Sequence, residues 1–229
     1  MKSLLNRILL LNFLLIFSFS LFAQNNSELK NWFVPFPGTP SIFQFQTEPG
    51  NNVFRHLRSI HDDYMITEIT NSNGQLVEYL DLRFDEKGGR IESYTTYTLD
   101  STGRTTPIFT EFEDSDYFRW DWPKELTLMM RYKEPRKMDS RTKSIKVSKE
   151  RILLDDIDTM SVLGRMVPVR HTNDLIRLEF IDKAGEKIGE DFLLEFRTWA
   201  YGLGLVEYRR QFSDGNSLAF KLMRMMELE

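Results

Sequence analysis

The sequence of 229 residues contains no cysteine. This excludes disulfide bonds, a catalytic thiol and zinc sites built on cysteine. It also excludes a lipid-modified cysteine within this sequence. The folded chain must therefore be stabilised by its hydrophobic core and its backbone hydrogen bonds.

Histidine and catalytic motifs are also scarce. The three histidines are His56, His61 and His171. His56 and His61 are five positions apart, so on a strand their side chains would project to opposite faces. The sequence contains no G-x-S-x-G nucleophile motif and no glycine-rich phosphate loop. We therefore expect no catalytic residues, no metal ion and no cofactor, and we predict that the protein is not an enzyme.

Positive charge is not in excess. Lys and Arg number 30 against 34 Asp and Glu, which gives a formal net charge of −4. Nucleic-acid binding requires a basic face. We therefore predict no nucleic-acid partner.

Long apolar runs are confined to the N-terminus. Two basic residues precede the apolar segment Ile8–Phe22, which leads to the small residue Ala23 and then to polar residues. This order is typical of a secretory signal peptide. We predict a signal peptide over residues 1–23, a single β-rich domain over 24–229, and a secreted protein of the periplasm, the outer membrane or the exterior. No later run is long enough for a transmembrane segment.

The remaining chain alternates between turn signals and strand patterns. Asp or Asn precedes glycine in NSNG, DEKGG, DSTG, DKAG and FSDG, as in short hairpins. Between these turns, apolar residues recur at every second position, which is typical of antiparallel strands with one polar face. These residues are Leu76, Leu80, Leu82 and Phe84; Ile176, Leu178 and Phe180; and Phe192, Leu194 and Phe196.

This pattern predicts an all-β fold. We expect a curved antiparallel sheet or half-open barrel of about ten strands, with few or no helices after the signal peptide. Strands at the two ends of the chain should pair or lie close together.

An aromatic cluster and a basic segment follow one another in the middle of the chain. Tyr117, Phe118, Trp120 and Trp122 could form a flat aromatic surface for a sugar, a peptide or a partner, or they could close one end of the core. The segment Arg131–Arg151 is rich in Lys and Arg and is predicted to be an exposed loop or long hairpin. An interaction surface would combine these aromatic residues with Arg136, Lys137, Arg141 and Lys143.

Two glycines interrupt a strand pattern in TWAYGLGLVEY. Glycine inside a strand marks a bulge, a bend or the close approach of another element. We predict a structural bend at Gly202 and Gly204, with a bulge that shifts the alternation and the glycine face packed against a neighbour.

The two ends of the chain resemble a group of secreted, β-rich bacterial proteins of unknown function, many from Bacteroidota. The resemblance lies in WFVPFPGTPSIFQF near the N-terminus and in the Tyr-Gly-x-Gly-Leu-Val strand of WAYGLGLVEY near the C-terminus. It implies a half-open antiparallel barrel similar in fold to the periplasmic lipoprotein carriers. It implies no catalytic residues.

Three functional hypotheses follow. The first is a non-catalytic exported envelope protein that binds an apolar or lipid-like ligand in its curved sheet, with Leu76, Leu80, Phe180, Phe192 and Phe196 lining the cavity. The alternative is a protein-interaction component of an outer-membrane or secretion assembly, which would contact an acidic envelope protein through the aromatic cluster and the basic segment. The third is a hydrolase built on Asp and Glu side chains.

Overall fold

The computed structural model describes residues 29–36, 40–99, 105–122, 127–134 and 141–228. The predicted signal peptide lies outside these residues. Within them, a short helix, α1, covers residues 29–33, and no helix is long and apolar enough to cross a membrane. The strands are β1 Ser41–Glu48, β2 Val53–Ile60, β3 Tyr64–Thr70, β4 Leu76–Phe84, β5 Gly88–Leu99, β6 Thr105–Phe109, β7 Glu111–Asp114, β8 Asp116–Arg119, β9 Leu128–Glu134, β10 Thr142–Leu153, β11 Asp158–Val162, β12 Arg165–Asp182, β13 Lys187–Ala200, β14 Gly204–Phe212 and β15 Ser217–Glu227.

The strands form one antiparallel sheet. Its order is β6-β5-β4-β3-β2-β1-β15-β14-β13-β12-β10-β9-β7, with β11 paired to β12 and β8 paired to β5. β1 and β15 pair in antiparallel register from Ser41 opposite Glu227 to Glu48 opposite Ala219. The predicted pairing of the chain ends is therefore confirmed.

The segment 105–119 brings the two edges of this sheet together. β6 pairs with β5, and the Thr110 amide then donates to the Tyr94 carbonyl of β5 at 3.1 Å. β7 pairs instead with β9, and the Ile91 amide of β5 donates to the Ser115 carbonyl at 2.8 Å. Because this segment bonds alternately to β5 and β9, the sheet is nearly closed into a barrel.

The predicted fold class is confirmed, but the described residues contain fifteen strands rather than about ten. β6, β7 and β8 have only 5, 4 and 4 residues. Most side chains of β6 and β7 are exposed, so these two strands carry little apolar alternation. The sequence pattern could not reveal strands that are formed mainly by backbone hydrogen bonds at the seam of the barrel.

The aromatic cluster belongs to the hydrophobic core and is not an exposed interaction surface. Phe118, Trp120 and Trp122 are 1%, 5% and 6% exposed, and Tyr117 packs against the same core cluster. β8 folds across one end of the barrel, where the Phe118 ring stacks on Phe33 of the α1 segment at 4.5 Å. These rings therefore close that end of the barrel.

The two glycines occupy a tight turn between β13 and β14, which corrects the prediction of a bend within one strand. Gly202 and Gly204 have φ of +74° and +70°, a conformation that glycine adopts without strain. The Leu203 amide donates to the Ala200 carbonyl at 3.0 Å and closes the turn. The expected close approach is present, because a Cβ on Gly202 would lie 2.5 Å from the Phe36 ring.

A β-bulge follows this turn. Thr198 pairs with Glu207 and Trp199 pairs with Leu205, so Val206 is the extra residue. This bulge, together with the turn, accounts for the shift in alternation after Gly204.

Gly88 allows β8 to approach β5, which provides a test of the barrel closure. A Cβ at this position would lie 1.9 Å from the Phe118 carbonyl oxygen, so Gly88→Ala must displace the backbone of β8. We expect the free energy of unfolding to fall by about 3 kcal/mol. In the control Gly74→Ala, nothing lies within 4 Å of the added Cβ, and the positive φ alone costs about 1 kcal/mol. Urea denaturation measures both losses, and equal losses would argue against the close β5–β8 contact.

Candidate functional site

The interior of the barrel contains a cavity of about 370 Å³. Its walls come from the inward faces of β2–β5 on one side and of β9, β10 and β12–β14 on the other. This volume lies in the range of small-molecule sites, roughly 300–1,000 Å³. The cavity is therefore the candidate functional site.

One wall of the cavity is apolar. Ile145 and Val147 of β10 pair in register with Phe180 and Leu178 of β12, and Ile176 lies opposite Leu193 of β13. Because alternate residues of paired strands share a face, all six side chains project into the cavity. They form a continuous hydrocarbon surface, which we call the apolar wall.

Charged side chains form a second layer in the barrel interior. Asp174 of β12 and Glu195 of β13 pair in register and are 0% and 1% exposed. Arg151 binds Asp174 in a bidentate manner, through Nε to Oδ1 at 2.7 Å and Nη2 to Oδ2 at 2.8 Å. The complete set, which we call the central ion network, is Lys149, Arg151, Asp174, Glu195, Arg197 and Arg210.

Glu195 is the most heavily engaged acid of this network. Arg210 donates to its Oε1 and Arg197 donates to its Oε2, while Lys149 Nζ lies 3.6 Å from Oε2. Arg197 Nε also lies 3.2 Å from Asp174 Oδ2 and joins the two acids into one network. Both carboxylates are thus saturated by cations.

The surrounding cations keep both acids ionised. Burial raises the pKa of Asp174, but Arg151 and Arg197 outweigh it and hold the pKa below the usual value. Burial likewise opposes ionisation of Glu195, and Arg197 and Lys149 still hold its pKa well below the usual range. Buried charges are tolerated when they are paired and hydrogen-bonded in this way.

Tyr117 lies between these cations and the cavity. Its hydroxyl accepts a hydrogen bond from Arg197 Nη1 at 3.1 Å, and the Arg151 guanidinium lies 4.5 Å from its ring centroid. Burial raises the pKa of Tyr117, but Arg197 and Arg151 outweigh burial and lower it. The shift reflects a positive electrostatic potential at this part of the cavity wall.

Glu78 faces the cavity from β4 in a different environment. Burial raises the pKa of its carboxyl group, although Arg210 and a hydrogen bond with Tyr94 partly oppose this. Glu134 of β9 lines the same cavity. The site therefore contains both ionised carboxylates held by arginine and a carboxyl group that is protonated more readily.

The predicted ligand-lining residues are only partly brought together. Leu80 and Phe180 line the cavity, whereas Leu76 is not part of its lining. Phe192 and Phe196 project to the outer surface and are 41% and 40% exposed. This corrects their predicted role, because the inward face of β13 carries the charged residues of the central ion network instead of the phenylalanines.

Sequence reasoning missed the central ion network. Its members appear in the sequence as ordinary charged positions of amphipathic strands, where Glu195 and Arg197 alternate with the apolar residues of the predicted strand. The available signal was that charged residues recur at alternate positions of long strands, as in Lys149 and Arg151 of β10 and in Glu195 and Arg197 of β13. That signal becomes decisive only when the register between strands is known.

The histidines do not assemble a metal site in the described residues, where no group of three His, Asp or Glu side chains could hold an ion. His56 lines the cavity and stacks with Phe45 at 4.4 Å. Burial, followed by the charge of Arg58, places its pKa well below the usual value. His61 stacks on Tyr64 at 4.1 Å near the end of β2.

The described parts of the basic segment, apart from Arg141, lie in two paired antiparallel strands. β9 and β10 pair from Leu128 opposite Arg151 to Glu134 opposite Ile145. Arg141 and Lys143 are exposed, whereas Arg136 and Lys137 lie outside the described residues. Lys149 and Arg151 face the barrel interior, so the segment does not present all of its positive charge to a partner.

Two solved structures of bacterial proteins are similar to this chain in fold. A candidate exported protein with a YmcC-like fold from Bacteroides fragilis has a TM-score of 0.54 at 8% identity, covering 86% of this chain and 99% of that one. A candidate lipoprotein from Parabacteroides distasonis has a TM-score of 0.50 at 9% identity, covering 85% and 97%. The hypothetical lipoprotein YmcC from Escherichia coli has a TM-score of 0.40 at 11% identity, covering 93% and 96%.

The two Bacteroides and Parabacteroides structures show a likeness in fold alone, because their sequence identity to this chain is below 10%. No family model and no curated protein matches the chain. The resemblance inferred from the ends of the sequence is thus supported at the level of the fold.

Proposed function

We propose that this protein is an exported, non-catalytic binding protein of the bacterial envelope, which holds an apolar or lipid-like ligand inside its barrel. The observation that carries the proposal is the 370 Å³ cavity with its apolar wall. Hydrocarbon surface inside a preformed cavity favours the burial of an apolar ligand.

Export is supported by two independent observations. The first is the basic, apolar and small-residue pattern of residues 1–23. The second is the likeness in fold to proteins described as exported or as lipoproteins. Both favour an envelope location.

The other two hypotheses have less support. The hydrolase hypothesis loses Glu195 as a candidate acid, because both of its oxygens accept hydrogen bonds from arginine, which leaves Glu78 and Glu134 as the other carboxyl groups of the cavity lining. The interaction hypothesis relied on the aromatic cluster and the basic segment, but both tryptophans of the cluster are buried, and Lys149 and Arg151 of the segment face the barrel interior. A binding protein therefore accounts best for the interior.

Two neighbouring leucines test the cavity directly. Leu193 lines the cavity, whereas Leu194 projects outward and is 39% exposed. We expect Leu193→Trp to weaken binding of the neutral fluorescent probe N-phenylnaphthylamine by about tenfold, about 1.4 kcal/mol, because the larger ring occupies the space. Leu194→Trp is expected to leave the affinity unchanged, and fluorescence titration measures both.

The same protein should also carry its natural ligand when it is isolated. After export in a bacterium, native mass spectrometry of the processed chain should show a heterogeneous adduct with acyl-chain mass spacing, which organic extraction removes. A clean apo mass, together with no probe binding by the unmodified protein, would overturn the proposed function.

A further inference from the structure

Arg58 is the one cavity-lining arginine for which the described part of the chain supplies no carboxylate partner. It lies on the inward face of β2 and is 4% exposed. Its Nη1 and Nη2 donate to the carbonyls of Leu203 and Leu205 at 3.3 and 3.4 Å. Its guanidinium packs over the Phe43 ring at 4.1 Å.

This arrangement leaves a buried charge that a ligand could neutralise. Burial lowers the pKa of Arg58 to about 10, so the group remains charged at neutral pH. A guanidinium has five N–H donors in a planar fork, and the two carbonyl bonds leave donors available for an oxyanion. A buried cation gains most from a partner of opposite charge, because water is excluded around it.

The neighbours of Arg58 extend this positive potential along the cavity wall. Arg58 lines the same cavity as Tyr117, whose hydroxyl accepts a hydrogen bond from Arg197 Nη1 at 3.1 Å. All three side chains line the cavity. An anionic group beside the Tyr117 hydroxyl would therefore meet guanidinium groups from both β2 and β13.

We propose, as a refinement that depends on the proposed function, that the ligand is a single-chain amphiphile with an anionic oxygen head group, a carboxylate or a phosphate. Arg58 and Arg197 hold the head group beside Tyr117, and the hydrocarbon chain lies against the apolar wall. The 370 Å³ volume suits one chain. The layered interior, charged at the centre and apolar beside it, matches the two halves of such a molecule.

Calorimetry on the unmodified protein separates the head group from the chain. Palmitate and monopalmitoylglycerol have the same chain, but only palmitate is charged. We expect palmitate to bind at least about tenfold more tightly, since a hydrogen bond to a charged group contributes this much. Palmitoyl lysophosphatidic acid forms the third arm, and its affinity relative to palmitate distinguishes a phosphate head group from a carboxylate.

Arg58→Gln tests the assigned residue, with Arg55→Gln on the outward face of the same strand as its control. We expect Arg58→Gln to weaken palmitate binding by about tenfold or more and to leave monopalmitoylglycerol binding unchanged. Arg55→Gln should alter neither. If circular dichroism shows that Arg58→Gln is unfolded, the comparison of palmitate with monopalmitoylglycerol on the unmodified protein still tests the anionic head group.

Each result has a separate meaning. Equal affinities for palmitate and monopalmitoylglycerol would overturn the anionic head group while leaving the proposed binding function in place. Palmitate selectivity that survives Arg58→Gln would overturn the assignment of Arg58. Failure of the unmodified protein to bind the lipids and N-phenylnaphthylamine would overturn the binding function itself.

Discussion

Asp174→Asn is expected to lower the free energy of unfolding by about 3–5 kcal/mol, because it leaves a buried cation without its partner. Asp174 and Arg151 are each fully buried and form a bidentate pair at 2.7 and 2.8 Å. Asparagine has nearly the same shape but no charge. The loss therefore measures the charge and the second hydrogen bond of the pair, and not a change in packing.

Glu190→Gln is the matched control on the outer surface. Glu190 accepts from Arg177 at 2.9 Å and from Lys187 at 2.7 Å, but its side chain is 38% exposed and solvent screens the pairs. We expect its substitution to leave the stability nearly unchanged. Urea denaturation of the unmodified protein, Asp174→Asn and Glu190→Gln measures the three free energies of unfolding. A similar decrease in both variants would contradict the special role of the central ion network.

The pH dependence provides an independent check on Asp174. Its pKa in the folded state is lowered, so its stabilising contribution is complete above the ordinary pKa of Asp, about 3.9. The contribution is lost as the pH falls through the lower folded value. The stability difference between the unmodified protein and Asp174→Asn should thus be largest near neutral pH and should decrease in acid.

Phe118→Ala is expected to lower the free energy of unfolding by about 3–5 kcal/mol, as for other large-to-small changes in a core. The Phe118 ring is 1% exposed, stacks on Phe33 at 4.5 Å and meets Trp199 edge-on at 5.2 Å. Removing it opens a cavity at the closed end of the barrel. Thermal and urea denaturation measure the loss.

Phe192→Ala removes the same side chain from the outer surface of β13. Phe192 is 41% exposed, so its removal should change the stability by only about 0.5 kcal/mol. A small effect at Phe118 with a large effect at Phe192 would mean that the faces of the barrel have been assigned in the wrong sense. The two variants therefore test whether Phe118 of the aromatic cluster lies in the core and Phe192 on the outer surface.

The central ion network and the aromatic end together explain why the interior is not simply filled. Bulky rings such as Trp122 and Trp199 close one end, while the paired charges of Asp174 and Glu195 occupy the centre. Charged groups that must remain hydrogen-bonded cannot collapse onto hydrocarbon without losing those bonds. This supports a cavity that persists in the absence of a ligand.

The sequence by itself determined the fold class and much of the local structure. Alternation at every second residue and Asp/Asn-Gly turns predicted antiparallel strands and hairpins, and the glycines at 202 and 204 predicted a close approach of another segment. These features could be predicted because they depend on residues near one another in the chain. Leu80 and Phe180 line the cavity, because their strands follow the simple rule of one apolar face.

Only the tertiary structure decided which face of β13 points inward and where the aromatic cluster lies. Arg151 and Asp174 are 23 positions apart, and Arg197 and Tyr117 are 80 apart, so their pairing depends on strand register across the barrel. A charged face can be buried only when cations and acids from several strands neutralise one another. That condition cannot be recognised within a single strand, where Glu195 and Arg197 have the pattern of a solvated face and Phe192 and Phe196 that of a core.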